Sequence, residues 1–380
     1  MRSSVLGEPL LEQRSAALRP QGLLARFHLD TPLLLALLAT AGLGLVVLYS
    51  AGHADQAIVT KQAVRLGMGF ACMALLAQAP PAKLRQWTPW LYLLAMVLLL
   101  AVPLVGDMGK GARRWLDLGF VRFQPAELMK LALPMMVAWY LSGQRFPPSL
   151  ATIGVAAALV AVPTVLILRQ PDLGTALLVA GAGFFVLFLG GLSWRVLLGA
   201  LALLGAAAPA FWRWGMHEYQ RQRVLTLLDP QSDPLGSGYH IIQSQIAIGS
   251  GGVYGKGWLN GSQAHLEFLP ESSTDFIFAV FAEEFGLYGG VGLLLLFCFI
   301  VGRGLQIATR AQDSYSRLLA GSLSLTFFIY ACVNVGMVIG LLPVVGVPLP
   351  LISYGGTAVV TLLAGFGVLM SVNTHRKFLS

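Results

Sequence analysis

The fold is decided by a stretch without a single charged residue, LLAGSLSLTFFIYACVNVGMVIGLLPVVGVPLPLISYGGTAVVTLLAGFGVLMSVNT, residues 318–374. An α-helix needs about 20 mainly apolar residues to cross the hydrocarbon core of a bilayer. The stretch is long enough for two such helices, and its proline-rich segment Leu342–Pro350 predicts a turn between them. It therefore predicts two membrane spans connected by a turn.

The composition of the whole chain agrees with a membrane protein. Of its 380 residues 56% are hydrophobic and 11% are charged, whereas soluble domains carry about 25% charged residues. The net charge of +8 is scattered between apolar segments, which favours anionic lipid head groups and pyrophosphates over nucleic acid as partners. The three cysteines fall inside apolar segments without paired spacing, so we interpret them as packing residues.

Further apolar runs bring the predicted number of spans to ten. Seven more runs of about 17 or more residues lack charge and can each cross the bilayer; they are 31–52, 66–82, 86–106, 149–168, 173–194, 196–212 and 285–302. The tenth span, residues 124–141, is apolar except for Glu127 and Lys130, and Pro125 suits its first turn. We predict an all-α polytopic bundle.

Basic residues orient this bundle, because cytoplasmic loops carry an excess of Lys and Arg. With the N-terminus inside, the inner segments hold Arg2, Arg14, Arg19, Arg26, Lys83, Arg85, Arg145, Arg195, Arg303, Arg310, Arg317, Arg376 and Lys377. Both termini are then cytoplasmic. The predicted organisation is an N-terminal tail of residues 1–30, without the features of a signal peptide, and a membrane domain of residues 31–375 that includes an outer loop, 212–275.

Glu127 and Lys130 are the first candidate site residues. They stand three positions apart on one helix face and can form an ion pair within the membrane. Charges at that depth are rare and commonly functional. Two interpretations stay open: a buried pair that fixes packing, or a Lys130 that binds a pyrophosphate while Glu127 positions it.

A second group of charges is predicted at the outer face. Arg169, Gln170 and Asp172 introduce the sixth span. The neighbouring outer loop carries four basic residues against the topology rule: Lys110, Arg113, Arg114 and Arg122. Together these residues could form a basic ring around a cavity, although a snorkelling arginine at a helix end is an ordinary alternative for each.

Asp275 is the third candidate, in the segment Leu269–Gly286 that opens the eighth span. The sequence places it in the first turn of that helix, where an acidic residue often does no more than cap. Ser272, Ser273 and Thr274 could already cap the helix. An additional carboxylate at the outer edge of the bilayer is therefore a candidate functional group.

The outer loop contains further structure. Gln220–Leu228 and Tyr239–Ile248 predict apolar-faced helices, and the glycine-rich Gly249–Trp258 is either an anion-binding segment or a simple surface turn. Its histidines, His217, His240 and His265, lack metal-ligand spacing, so no metal is assigned to them.

Several motifs resemble those of the SEDS family (shape, elongation, division and sporulation), and the resemblance covers the chain from the first span to His375. They are Arg114–Gly119, Phe123–Lys130, Arg169–Thr175, Tyr239–Gln245, Leu266–Glu271, Thr274–Ala279 and Pro343–Gly356. Two further segments, Gln220–Val224 and Lys256–Gln263, resemble the elongation branch more than the division branch.

The resemblance implies a ten-helix fold with a large loop between spans seven and eight, located in the bacterial inner membrane. It also implies polymerisation of lipid II into glycan strands during cell elongation, a catalytic aspartate at Asp275, and a class B penicillin-binding protein as partner. Such a glycosyltransferase needs a base for the acceptor hydroxyl and cations for the departing pyrophosphate. Asp275 is the candidate base, Lys130, Arg122 and Arg114 are candidate cations, and a divalent cation such as Mg²⁺ is compatible but not assigned.

Three alternatives remain at this stage: a lipid flippase or transporter, a non-enzymatic scaffold for cell-wall enzymes, and a division-type paralogue. A transporter should place ionisable groups and broken helices near the bilayer midplane. The polar groups here gather towards one face instead.

Overall fold

A computed structural model describes residues 27–109, 112–117, 119, 122–216, 218–233, 236–265 and 271–375. Most of the predicted N-terminal tail, Lys110, His217, most of the motif Leu266–Glu271, and the basic residues after His375 lie outside these ranges. The side chain of His265 is likewise outside the description.

Helices dominate the described chain, together with one small antiparallel sheet. The helices are α1 Thr31–Ala51, α2 Gln56–Ala77, α3 Pro81–Val105, α4 Pro125–Ser142, α5 Leu150–Arg169, α6 Leu173–Leu189, α7 Trp194–Ala210, α8 Glu218–Leu228, α9 Ser237–Gly251, α10 Ser262–His265, α11 Ile277–Thr309, α12 Ser314–Val338 and α13 Thr357–Thr374. The strands are β1 Asp107–Gly109, β2 Ala112–Asp117 and β3 Arg122–Phe123, in the order β1-β2-β3. A π-helical turn, Phe211–Gly215, continues α7.

Ten of these helices correspond to the ten predicted spans. Eight are long and apolar enough to cross a membrane by length and composition. They are α1, α2, α3, α5, α7 with its π-helical turn, α11, α12 and α13. Of the other two, α6 is apolar with 17 residues, and α4 carries Glu127 and Lys130 in its first turns. The all-α polytopic architecture is confirmed.

Several helix bounds differ from the prediction. Helix α2 begins at Gln56 rather than near residue 66, because Asp55 caps it through the amide of Ala57 at 2.7 Å, and its first turns tolerate Lys61 and Arg65. Charge-free runs therefore underestimate a helix whose end is polar. Helix α6 ends at Leu189, before the predicted residue 194.

Helix α11 is broken at Gly286. This residue has φ 64° and ψ −161°, a conformation that L side chains rarely adopt, and the backbone of Val253–Gly255 leaves no room for a Cβ there. The break separates a buried segment, Ile277–Phe285, from the apolar run that was predicted as the eighth span. The chain between the outer loop and that span is thus a separate helical segment.

Two apolar cores fill the bundle and meet at α12 and α13. One core draws on α1, α2, α11 and the loop before α13, while the other draws on α3, α4, α5 and α6. Helix α7 has no buried residue. The cavity of the candidate site is lined in part by members of the first core, Leu178, Tyr330, Val345 and Val347.

The end of the bundle opposite the cavity is closed by a polar network around Asp30. Its carboxylate is buried and accepts hydrogen bonds from Arg303 Nη2 and Asn373 Nδ2, each at 2.7 Å. Beside it, the rings of His28 and His375 stack with their centroids 3.9 Å apart. The beginning of α1 and the end of α13 therefore lie at the same end of the bundle.

Candidate functional site

A cavity of about 480 Å³ opens where α4, α6, α12 and α13 meet the outer loop. Its polar lining comes from side chains far apart in sequence. Five of the residues singled out from the sequence belong to it: Arg114, Glu127, Lys130, Asp172 and Asp275. Their convergence produces one site with carboxylates and cations facing the same space.

Lys130 and Glu127 form a buried ion pair on α4, as the spacing predicted. The Lys130 Nζ lies 2.7 Å from Oε1 of Glu127 and 3.0 Å from the hydroxyl of Tyr330 on α12. The other carboxylate oxygen of Glu127 accepts a bond from Thr361 on α13 at 3.3 Å. Three helices therefore hold the ammonium group at the cavity wall.

Asp172 and Arg114 are fixed by the turn that begins α6. One carboxylate oxygen of Asp172 caps α6 through the amide of Thr175 at 3.2 Å, and the other accepts Gln124 Nε2 at 2.8 Å. Arg114 donates to the carbonyls of Gln170, at 3.1 Å, and Pro171. Asp172 is thus a structural cap as well as a lining residue, and the Arg114 guanidinium is oriented by backbone.

Arg122 does not line the cavity. Its side chain is 73% exposed, and its Nε lies 3.6 Å from Oδ2 of Asp117. The hairpin register sets Arg122 opposite Asp117 on β2, which holds it beside that carboxylate. Of the basic residues in the predicted ring, Arg114 lines the cavity, and Lys130 and Arg223 from α8 supply the other cationic side chains of the lining.

Asp275 lies before α11 and not in its first turn, which corrects the prediction. Phe276 occupies the N-cap position without a side-chain cap, so Ser272, Ser273 and Thr274 do not cap this helix. Ser272 Oγ donates to the carbonyl of Ala51 at 3.2 Å instead. Asp275 nevertheless lines the cavity, as expected for a candidate functional group.

The glycine-rich segment packs against two buried carboxylates. The amides of Lys256 and Gly257 donate to the carbonyls of Glu283, at 3.0 Å, and Glu284, at 2.9 Å. The side-chain Nζ of Lys256 lies 2.6 Å from Oε1 of Glu283, which is fully buried. These amides are used within the fold, so the structure supports neither an anion cradle nor a simple surface turn at this segment.

Three contributors to the site were not identified from the sequence: Tyr330, Arg223 and Asn334. Tyr330 lies in an apolar helix, where tyrosine is common, so its sequence carried no signal. Arg223 lies in a segment that was noted for a predicted helix and for family resemblance, not as part of a site. Asn334 is fully buried in the charge-free stretch, and a polar residue at that depth was a usable signal.

The described histidines form no metal site. His240 stacks on Phe276 with the ring centroids 5.5 Å apart. Burial lowers the pKa of His240, and the carboxylates of Glu271 and Asp233 act in the opposite direction. Within the part of the chain that the structure describes, no group of three or more His, Cys, Asp or Glu residues could hold a metal ion.

Comparisons with known proteins converge on one family. The model of the cell cycle protein family of FtsW, RodA and SpoVE matches residues 30–378. The chain is 54% identical over 355 residues to the peptidoglycan glycosyltransferase MrdB of Escherichia coli strain K12, covering 93% of this chain and 96% of the relative.

Solved structures agree with this similarity. A chain in a structure described as "Structural coordination of polymerization and crosslinking by a peptidoglycan synthase complex" matches with TM-score 0.80 and 35% identity, covering 90% of this chain and 97% of that one. The rod shape determining protein RodA of Thermus thermophilus matches with TM-score 0.70 and 31% identity, covering 92% and 98%.

Proposed function

The chain belongs to the cell cycle protein family of FtsW, RodA and SpoVE, and we propose from this premise that it polymerises lipid II into glycan strands during cell elongation. The relative at 54% identity is a peptidoglycan glycosyltransferase, and so is this protein. The observation that supports the mechanism is the convergence of Asp275, Lys130 and Arg114 on one cavity.

The reaction joins two lipid-linked sugars. The acceptor 4-hydroxyl oxygen attacks the anomeric carbon of the donor strand, the bond from that carbon to the pyrophosphate oxygen breaks, and the hydroxyl proton passes to a base. Undecaprenyl pyrophosphate leaves with the bonding electrons. The step requires a proton acceptor on one side of the anomeric carbon and cations on the other.

Residues of the cavity fit these roles. Asp275 acts as the base, and Lys130 and Arg114 stabilise the departing pyrophosphate. Glu127 and Tyr330 hold the Lys130 ammonium in place, while Asp172 holds the turn that orients Arg114. Arg122 lies outside the lining of the cavity, so Lys130 and Arg114 are the cations assigned to the pyrophosphate.

A divalent cation such as Mg²⁺ would supply further neutralisation of the pyrophosphate charge, and no residue is assigned to hold it. The described residues offer no cluster of three or more candidate ligands for a resident ion. The protein's own contribution is then the pair of cationic side chains and the base.

The proposed setting is the bacterial cytoplasmic membrane, with both termini and the tail of residues 1–30 inside and the cavity facing out. Lipid-linked sugars would then reach the cavity from the outer leaflet. The proposed partner is a class B penicillin-binding protein that crosslinks the new strands. It is supported by the similarity to a chain from a synthase complex that coordinates polymerization and crosslinking.

Purified protein in detergent tests this function directly, because a detergent micelle has no second compartment to which a flippase could move lipid. Labelled lipid II should be converted into long glycan strands, alone or with the crosslinking partner present. A transporter or a scaffold would leave lipid II unpolymerised in both conditions. The absence of polymer from folded protein in both conditions would overturn the proposal.

A further inference from the structure

The turn that carries Asp275, residues 271–276, precedes α11, and no side chain caps that helix. Within the turn, the amides of Thr274 and Phe276 donate to the carbonyl of Glu271, at 3.0 Å and 3.3 Å. Backbone carbonyls of the turn also accept bonds from α12 and from the loop 339–356, which precedes α13. The position of the Asp275 carboxylate therefore depends on these neighbours.

Asn334 makes the central connection. It is fully buried on α12, and its Nδ2 donates to the carbonyl of Asp275 at 2.8 Å and to the carbonyl of Val347 at 2.7 Å. Val347 lies in the loop that lines the opposite wall of the cavity. One amide group thus links the aspartate-bearing turn to that wall.

Two further bonds join the same turn to the same loop. Ser353 Oγ donates to the carbonyl of Thr274 at 2.6 Å and accepts the amide of Leu349 at 2.7 Å. The amide of Tyr354 donates to the carbonyl of Ser273 at 2.9 Å. These bonds hold the residues before Asp275, and Asn334 adds a bond to the carbonyl of Asp275 itself.

The opposite wall is close enough for such a link to matter. Gly346 has φ 73°, and a Cβ placed on it would come within 3.6 Å of Oδ2 of Asp275. A shift of the turn or of the loop would therefore change the surroundings of the carboxylate directly.

The amide also suits this task chemically. An asparagine amide carries two N–H donors on one planar group, whereas an aspartate carboxylate has none and a serine has one. Two backbone carbonyls on different segments can be held at fixed separation by that single group. Misplacement of a reacting group by about 1 Å can cost about 10²-fold in rate.

We propose that Asn334 is a positioning residue for the reaction: it sets the place of Asp275 relative to the cavity wall through the two backbone carbonyls. This inference rests on the proposed role of Asp275 as base. Asn334 need not touch the substrate, so its loss should lower kcat and leave KM nearly unchanged.

Asn334→Ala is compared with Ser322→Ala, a matched control on the same helix. Ser322 is also fully buried, and its Oγ donates to the carbonyl of Ala182 at 2.8 Å, away from the cavity. Asn334→Ala should lower kcat about 10- to 100-fold with KM within about threefold. Ser322→Ala should lower the melting temperature and leave kcat within about threefold. A kcat loss in Asn334→Ala no larger than in the control would overturn the inference.

A second readout does not depend on catalysis. With Cys72, Cys298 and Cys332 replaced by Ser, Asp275→Cys reports the position of the turn through its labelling rate with a maleimide. Asn334→Ala should change this rate at least about threefold, and Ser322→Ala should not. If the labelling rate with Asn334→Ala equalled the rate without it, the positioning role would be contradicted.

If Asn334→Ala fails to accumulate, Asn334→Ser replaces it, because serine keeps one donor. This variant should show the same changes in kcat and in labelling rate, at smaller size. Unchanged kcat and unchanged labelling in Asn334→Ser would equally contradict the positioning role.

The two proposals fail differently. If Asp275→Asn keeps full activity, the assignment of the base is wrong whatever the labelling shows. If Asp275→Asn is inactive while Asn334→Ala behaves like the control in both assays, only the positioning role is wrong.

Discussion

Lys130 donates to Glu127 within the first turns of α4, with Nζ and Oε1 2.7 Å apart and with 11% and 6% of the two side chains exposed. Removing one partner of a buried pair leaves an uncompensated charge, which typically costs about 3–5 kcal/mol. The pair therefore combines a structural role with the proposed binding of pyrophosphate, and the two roles can be separated by experiment.

Lys130→Ala should abolish polymerisation in protein that still reaches the membrane, because the cation that stabilises the leaving group is gone. Lys130→Met should lower the free energy of unfolding by about 3–5 kcal/mol, since Glu127 is left unpaired. Product gels and thermal denaturation measure the two effects on the same preparations.

The double change Glu127→Gln with Lys130→Met separates these effects. It removes both charges and should recover much of the stability without recovering activity. Tyr330→Phe keeps the ion pair and removes only the hydroxyl bond to Lys130, so it should cost far less than Lys130→Ala in both assays. Full activity in Lys130→Ala would return the pair to a packing role.

Both termini of the membrane domain should face the cytoplasm. The Asp30 network joins the beginning of α1 to the end of α13, so the two ends share one side. A reporter fused after His375 should read as cytoplasmic, and one inserted between Pro230 and Gly236 should read as external. An external C-terminal reporter would overturn the ten-span topology and place the proposed catalytic loop on the wrong side for cell-wall assembly.

Apolar runs predicted the bundle well for two reasons. A spanning segment must satisfy its backbone internally and is therefore a helix. That helix needs about 20 mainly apolar residues to cross the hydrocarbon core, which leaves a long apolar stretch in the sequence. The break at Gly286 was not predictable in the same way. The chain has 43 glycines, many of them in spans, and only the packing of Gly255 against Gly286 distinguishes this one. Asp275 was misplaced for a different reason: α11 begins only at Ile277, after the turn 271–276.

The sequence predicted which charged residues belong to the candidate site, and the structure corrected one of these assignments. Arg114 and Arg122 belong to the same short loop and look alike in sequence. The strand register holds Arg122 beside Asp117, while Arg114 reaches the turn at Gln170. Backbone pairing between separate segments decided which arginine lines the cavity, and no local pattern encodes that choice.

His240 should make stability depend on pH. Burial lowers its pKa below the ordinary value of 6.5, against the opposing effect of Glu271 and Asp233. The unfolded chain then binds the proton more readily than the folded one, so stability is fully present above about pH 6.5 and declines as the pH falls towards the folded pKa. Melting temperatures measured between about pH 5 and pH 8 test this.

His240→Gln should remove part of this dependence of the melting temperature on pH. His28, whose pKa is lowered by burial and by His375, contributes to the part that remains. If His240→Gln gave the same pH profile as the wild type, His240 would not be the titrating group.

Asp275→Asn is the decisive test of the mechanism. The carboxylate lies in the cavity with Lys130 and Arg114, and the backbone carbonyl of Asp275 accepts a bond from Asn334 on α12. Asparagine keeps the size and the hydrogen-bonding shape of the side chain and removes the proton acceptor. Folding and partner binding should stay nearly unchanged, while the rate of glycan synthesis from lipid II should fall by about 10²- to 10⁴-fold, the usual contribution of a general base.

A gel of labelled product from the Asp275→Asn variant resolves such a loss easily, and co-purification with the crosslinking partner checks that the variant is intact. Polymerisation by the purified variant within a few-fold of the wild-type rate would show that Asp275 is not the base, and the role proposed for Asn334 would fall with it.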